Sequence, residues 1–168
     1  MKQYIFVIFT LFYYAVGLSS QALADDGSPS VERGRYLVKV GGCNDCHTPA
    51  YGERGGQVPE SEWLVGVPVG FNGPWGTSYP ANLRLLVQHL DESAFVARAR
   101  SPMLPPMPWF NVVAMSDDDV KSIYRFIVSL GPAGEPAPAD VAPGVTPKTA
   151  YVDFVPRTAA GTVQVSSN

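Results

Sequence analysis

Cys43, Cys46 and His47 stand in the run Gly41-Gly42-Cys43-Asn44-Asp45-Cys46-His47-Thr48. They account for both cysteines and one of the two histidines in a chain of 168 residues. Two thiols separated by two residues, with an imidazole next in line, form the C-x-x-C-H pattern of covalent c-type haem attachment. Each thiol adds to one vinyl group of the porphyrin, giving two thioether bonds, and the adjacent imidazole reaches the iron from the same side. On this reading Cys43 and Cys46 carry one haem c and His47 is the proximal iron ligand. Three plainer readings compete. A disulfide across so tight a loop adds little stability and leaves His47 without a role. A thioredoxin-like redox pair expects a βαβ setting, which the flanking residues do not provide. Zinc wants four ligands, and Cys43, Cys46, His47 and His89 supply them only at an odd spacing.

The opposite face of such an iron takes a methionine or a second histidine in electron-transfer proteins. Met103, Met107 and Met115 lie downstream, and His89 is the remaining histidine. Met107 sits in Pro105-Pro106-Met107-Pro108-Trp109, where prolines stiffen the backbone and hold a thioether at fixed distance. Met103 lies a short step upstream and is the alternative distal ligand. Met115 has a plainer role as the first half of a hydrophobic staple with Val120, and His89, in an apolar-rich helix, reads as a packing or surface residue. The distal ligand is therefore expected to be Met107, with Met103, His89 or an open site as the remaining options.

These residues need elements to position them. Residues 30–40 show a helical pattern with Tyr36, Leu37 and Val40 on one side, Ser30 as N-cap and Gly41-Gly42 as the stop. The cysteine cluster thus follows a helix directly. Residues 48–82 are rich in Gly, Pro and Trp without a sustained period, a length that suits a loop wrapped round a ligand. Trp63, Phe71 and Trp75 give that loop an apolar inner surface. Residues 82–100 predict two short helices, the second capped by Asp91 or Ser93. Residues 117–130 predict the best-defined helix, capped by Ser116 and striped by Val120, Ile123, Ile127 and Leu130, with Gly131-Pro132 ending it. Beyond it, residues 132–168 are rich in Pro, Ala and Gly and read as an extended or partly disordered arm. Tyr151, Val152, Phe154 and Val155 could dock part of that arm on the domain.

Residues 1–24 have the layout of a cleavable secretory signal peptide. Lys2 precedes an apolar run, and Ala22-Leu23-Ala24 offers a small-x-small cleavage site before Asp25-Asp26. The apolar run is short for about 30 Å of hydrocarbon. Export is expected, with no membrane span after cleavage. The formal net charge is −3, and removing the leader takes away one further positive charge, so no basic patch for nucleic acid remains. Sixteen glycines and sixteen prolines suggest a loop-rich fold whose interior is filled by something besides regular structure.

Three stretches in order, ERGRYLVKVGGCNDCHTP, GPWGTSYPANL and PPMPWFNVVAMSDDDVKSIYRFIVSLGP, resemble the class I c-type cytochromes, small periplasmic monohaem proteins. The middle stretch is similar to the haem-wrapping loop of cytochrome subunits of periplasmic dehydrogenases. The resemblance covers roughly residues 31–131, and it implies the periplasm as the destination of the exported chain. It implies an all-α class I cytochrome c fold, a few helices round one covalent haem with long wrapping loops, in which the first and last helices cross at a small residue, here Gly34 against Ile123, Phe126 and Ile127. It also places the axial methionine in a proline-flanked loop before the last helix, which matches Met107. The arm after Gly131 departs from that pattern. The domains expected are a signal peptide (1–24), a haem domain (25–131) and a Pro/Ala/Gly-rich extension (132–168). The function expected is single-electron transfer between Fe(II) and Fe(III), not catalysis. The chain would serve as a mobile carrier or as a dehydrogenase subunit, with a dehydrogenase, another cytochrome or a terminal oxidase as redox partner. A haem enzyme or gas sensor with an open distal position is the competing class. Trp75, Tyr79 and Trp109 are expected to keep water from the site, and the carbonyl of Pro59 or Pro68 to orient His47.

Overall fold

The computed structural model describes residues 28–158 and 161–162, so the expected signal peptide over residues 1–24 lies outside the described residues. Two helices form the frame. Helix α1 (Val31–Val40) is capped by Ser30, whose hydroxyl accepts from the Arg33 N–H at 3.0 Å. The other, the longest among the described residues, runs over Asp117–Ser129, capped by Ser116 through the Asp119 N–H. Its first turn carries three aspartates, which suit the positive end of a helix dipole.

The two helices cross where α1 has no side chain. A Cβ placed on Gly34 would overlap the carbonyl of Ser122 and lie 2.7 Å from the Cβ of Phe126. Glycine is therefore required by close backbone approach. The crossing expected at Gly34 is present, with Ser122 and Phe126 as its floor rather than Ile123 and Ile127. Polar bonds lock the same pair: Arg33 binds Asp119 at 2.7 Å, and the Ser30 N–H donates to the Ser122 hydroxyl at 3.2 Å.

Leu37 and Val38 from α1 meet Ile123, Phe126 and Ile127 to make the buried centre. Phe126 is fully covered, with Trp63 edge-on to it at 6.2 Å and Tyr51 edge-on to Trp63 at 6.0 Å. The guanidinium of Arg35 lies 5.3 Å from the Phe126 ring centroid while also pairing with Glu60 at 2.8 Å, a cation–π contact in addition to an ion pair. Tyr36 and Val40, expected on the apolar side, are instead 58% and 60% exposed. The helix turns its buried face through Gly34, Leu37 and Val38 because the close crossing fixes its rotation.

Between the frame helices lie four shorter ones. These are α2 (Cys43–His47), α3 (Leu83–Leu86), α4 (Glu92–Ala99) and α5 (Trp109–Ala114), so the long C-terminal helix is α6. Asp91, not Ser93, caps α4 by accepting from the Ala94 N–H at 2.8 Å. Helix α4 packs on α6 through Phe95 and Tyr124, ring centroids 5.5 Å apart.

The all-α expectation needs amendment. Within the Gly-rich loop, β1 (Gly70–Gly73) and β2 (Gly76–Ser78) form an antiparallel hairpin. Strand β3 (Tyr151–Asp153) of the C-terminal arm adds in parallel on the far side of β1, giving the order β2-β1-β3. A further two-residue ribbon joins β4 (Arg157–Thr158) to β5 (Gly161–Thr162). Strands of two to four residues are too short to impose an alternating pattern on the sequence. The fold is mostly helical with this small sheet attached, and the arm is docked as far as Phe154, whose ring packs on Phe71 at 5.6 Å and Trp75 at 6.1 Å.

The crossing predicts a graded cost. Gly34→Ala should lower unfolding free energy in denaturant by about 3 kcal/mol, an overpacking penalty against backbone. Gly52→Ala, where a Cβ meets nothing within 4 Å, should stay within about 0.5 kcal/mol. Equal costs at the two sites would contradict the crossing.

Candidate functional site: the Cys43–His47 turn

Helix α2 is a single turn entered through Gly42, which adopts φ +69°. This left-handed residue lets the chain reverse from α1 into a new helix at once. Cys43 and Cys46 are half-buried free thiols on that turn, and His47 closes it. Burial pushes the Cys43 thiol up to about 11, and raises that of Cys46 as well, with Asp45 adding to both.

His47 is 9% exposed. Its Nδ1 lies 2.8 Å from the carbonyl oxygen of Ala81. A carbonyl can only accept, so the ring proton resides on Nδ1 and the lone pair on Nε2. Burial holds the imidazole pKa below its ordinary value, the Ala81 bond partly opposing that. The ring is therefore neutral near pH 7, with Nε2 free to bind a metal. The orienting carbonyl belongs to Ala81, not to Pro59 or Pro68: the 66–82 loop returns over the turn, and Gly66 donates its N–H to the His47 carbonyl at 2.8 Å.

A buried polar chain fixes the turn from below. The Thr48 hydroxyl donates to Asn44 Oδ1 and accepts from the Leu64 N–H, both at 2.8 Å. Leu64, fully buried, adopts φ +61°, an uncommon conformation for a branched side chain. Bonds on both sides hold it there, since its carbonyl also accepts from the Leu83 N–H at 3.0 Å. Asn44 is 1% exposed, and its Nδ2 has no protein partner among the described residues.

The segment that carries Ala81 is itself anchored. Asn82 caps α3 by accepting from the Leu85 N–H at 3.0 Å, and its amide donates to the carbonyls of Ala133 at 2.8 Å and Glu135 at 3.1 Å. Arg84, 5% exposed, donates to the carbonyls of Gly131 at 2.6 Å and Ser61 at 2.7 Å, and to that of Leu130. It thereby satisfies the C-terminal carbonyls of α6, where a cation is favoured.

Met103 and Met107 are both half-buried in the loop between α4 and α5. Side chains of Ser78 and Arg100 hold the two ends of this region. Ser78 donates its hydroxyl to the Pro105 carbonyl at 2.5 Å. Arg100 binds the carbonyls of Val112 at 2.9 Å and Met115 at 3.0 Å, fixing the far end of α5. Met115 is partly buried and packs against the buried cluster. His89 is exposed after α3. Among the described residues no three His, Cys, Asp or Glu side chains converge to hold a metal ion, a convergence the zinc reading requires. Sequence reasoning passed over Ala81, Ser78, Asn82 and Arg84. Asn82 before an apolar run was a readable cap, and Arg84 a lone charge in NLRLLV. Nothing in the sequence marks the carbonyl of Ala81.

This donor set fits haem c: two free thiols on one turn, and a buried neutral imidazole with one nitrogen engaged and the other available. Residues 31–131 match the family model described as Cytochrome c. The chain belongs to the cytochrome c family. Its relatives include the gluconate 2-dehydrogenase cytochrome c subunit of Pantoea cypripedii, 30% identical over 66% of this chain and 26% of that protein. The fructose dehydrogenase cytochrome subunit of Gluconobacter japonicus is 27% identical over 66% of this chain and 23% of its own length. The cytochrome c subunit of the quinone alcohol dehydrogenase of Gluconacetobacter polyoxogenes is 25% identical over 71% of this chain and 26% of its own. The matched stretches span about a quarter of each of these relatives. No solved structure matches the chain.

Removing the Thr48 hydroxyl should show how much the polar chain beneath the turn contributes. Thr48→Val leaves the buried Leu64 N–H without an acceptor and should cost about 1–3 kcal/mol in thermal or denaturant unfolding. An isosteric change with no measurable cost would mean that these bonds do not hold the turn.

Proposed function

We propose that this chain is an exported electron-transfer cytochrome carrying one haem c, with Cys43 and Cys46 as its thioether anchors. In this reading His47 binds the iron through Nε2, and Met107 supplies the opposite ligand, with Met103 as the alternative. The observation that carries the reading is the His47 Nδ1–Ala81 bond beside the two thiols. It is the support a proximal histidine requires, engaging one ring nitrogen and leaving the other as a base. When bound, haem c supplies a one-electron Fe(III)/Fe(II) couple. The protein's part is to hold it, orient its ligands and keep water out. The apolar lining from Trp63 and the loop that bears Trp75 and Tyr79 serves that purpose, because a low local dielectric and a thioether ligand both raise the potential.

Relatives named as cytochrome subunits of gluconate, fructose and alcohol dehydrogenases support a dehydrogenase as electron donor. Among the described residues no helix is long and apolar enough to cross a membrane. The signal-peptide layout of the sequence at residues 1–24 supports delivery to the periplasm, where the haem would be attached and the redox partner met. Residues 25–131 form the haem domain in this proposal, and 132–168 an extension to it.

The test is made on the full chain matured in a host competent for haem attachment. The intact mass should equal the processed polypeptide plus one haem, and Cys43→Ala/Cys46→Ala should abolish the increment. The ferric protein should show a weak absorption band at the red end of the visible spectrum. That band should vanish in Met107→Ala and persist in Met103→Ala. A mass equal to the bare polypeptide refutes the reading, whereas a loaded protein with a high-spin ferric spectrum replaces the carrier with the open-site sensor or enzyme.

A further inference from the structure

The Cytochrome c match ends at residue 131, yet the chain beyond it is fastened along residues 70–82, and the end of that segment touches both proposed iron-binding segments. Ser78 and Ala81 are its contact points. Ala81 accepts from His47 Nδ1 at 2.8 Å. Ser78 donates at 2.5 Å to the carbonyl of Pro105, two residues before Met107.

Between and beside these two residues the arm takes hold. Thr77 and Val141 exchange both backbone bonds, each at 2.8 Å. The Tyr79 N–H donates to Asp140 Oδ1 at 3.1 Å, and the Tyr79 hydroxyl pairs with the Thr149 hydroxyl at 2.7 Å. The loop is shaped to receive the arm, since a Cβ on Gly76 would overlap the Val141 carbonyl. Strand β3 then closes the attachment along β1.

From this network we infer that the arm after Gly131 is a positioning element for the iron ligands, and that Tyr79 is one of the residues through which it acts. Tyr79 lies between Ser78 and Ala81, so its two bonds to the arm restrain both contacts at once. With the arm docked, the Pro105 carbonyl is fixed and Met107 stays at its post. With the grip weakened, the 101–108 loop gains alternatives and an outside ligand competes more easily for the iron. This rests on the proposed haem ligation.

The experiment measures imidazole binding to the ferric full-chain holoprotein, after intact mass has established that haem is attached. Failure of that mass criterion overturns the proposed function, and the arm is then judged by hydrogen exchange at the Gly66 amide, which bonds the His47 carbonyl. Tyr79→Phe/Asp140→Ala should raise imidazole affinity about tenfold, as expected for losing two hydrogen bonds that favour the closed state. It should also lower the midpoint potential and speed exchange at Gly66. Asp140→Asn, which keeps an acceptor oxygen, should behave as wild type. Arg125→Ala is the control for simple destabilisation, since its partners Glu92 and Pro29 lie outside this network, and its imidazole affinity should not change. If the double variant is too unstable to load, Tyr79→Phe alone should give a smaller shift in the same direction. Unchanged affinity and unchanged Gly66 exchange in a loaded variant would overturn the inference, as would an equal rise in Arg125→Ala.

Discussion

One hydrogen bond organises this molecule: the Nδ1–H of His47 to the carbonyl of Ala81. It joins two segments 34 residues apart, fixes the tautomer of a buried ring, and leaves a single nitrogen able to bind iron. The rest of the 66–84 segment can be understood as what keeps Ala81 in place. Asn82 caps the helix that follows, Arg84 ties that helix to the end of α6, and Gly66 closes the loop back on the His47 carbonyl. None of these bonds is strong alone. A single bond of this kind contributes about 1 kcal/mol, but each removes a way for the imidazole to turn.

The helix pair supplies the rigid base on which this depends. Because α1 meets α6 through Gly34 with backbone in contact, α1 cannot roll, and the turn that leaves it through Gly42 is aimed by the crossing. Phe126 and Trp63 fill the space beneath. The same base explains why Arg84 tolerates burial without a carboxylate. The backbone carbonyls of Ser61, Leu130 and Gly131 supply the acceptors, and desolvation pulls its pKa down without removing its charge.

Much of this was legible in the residues. Ser30, Ser116 and Asp91 are caps whose side chains can bond a nearby N–H in only one local conformation, so the helix starts could be read. The C-x-x-C-H run pointed to haem c because few other chemistries use those three groups at that spacing, and the cytochrome c family match agrees. The sheet was not readable, since strands of two to four residues carry no period and β3 pairs with a partner about 80 positions upstream. The Ala81 contact was hidden for a different reason. A backbone carbonyl has no residue type, so its choice as acceptor is decided by how the loop folds. Tyr36 and Val40 show the complementary error, in which apolar character suggested a buried face that the Gly34 crossing turned outward.

The direct test of this account is the protonation of the His47 ring in the ferrous, diamagnetic holoprotein, read by nitrogen-resolved NMR. The account predicts one ring proton, on Nδ1 and slow to exchange with water, and none on Nε2. A proton on Nε2, or an Nδ1 proton exchanging as freely as that of a surface imidazole, would contradict it.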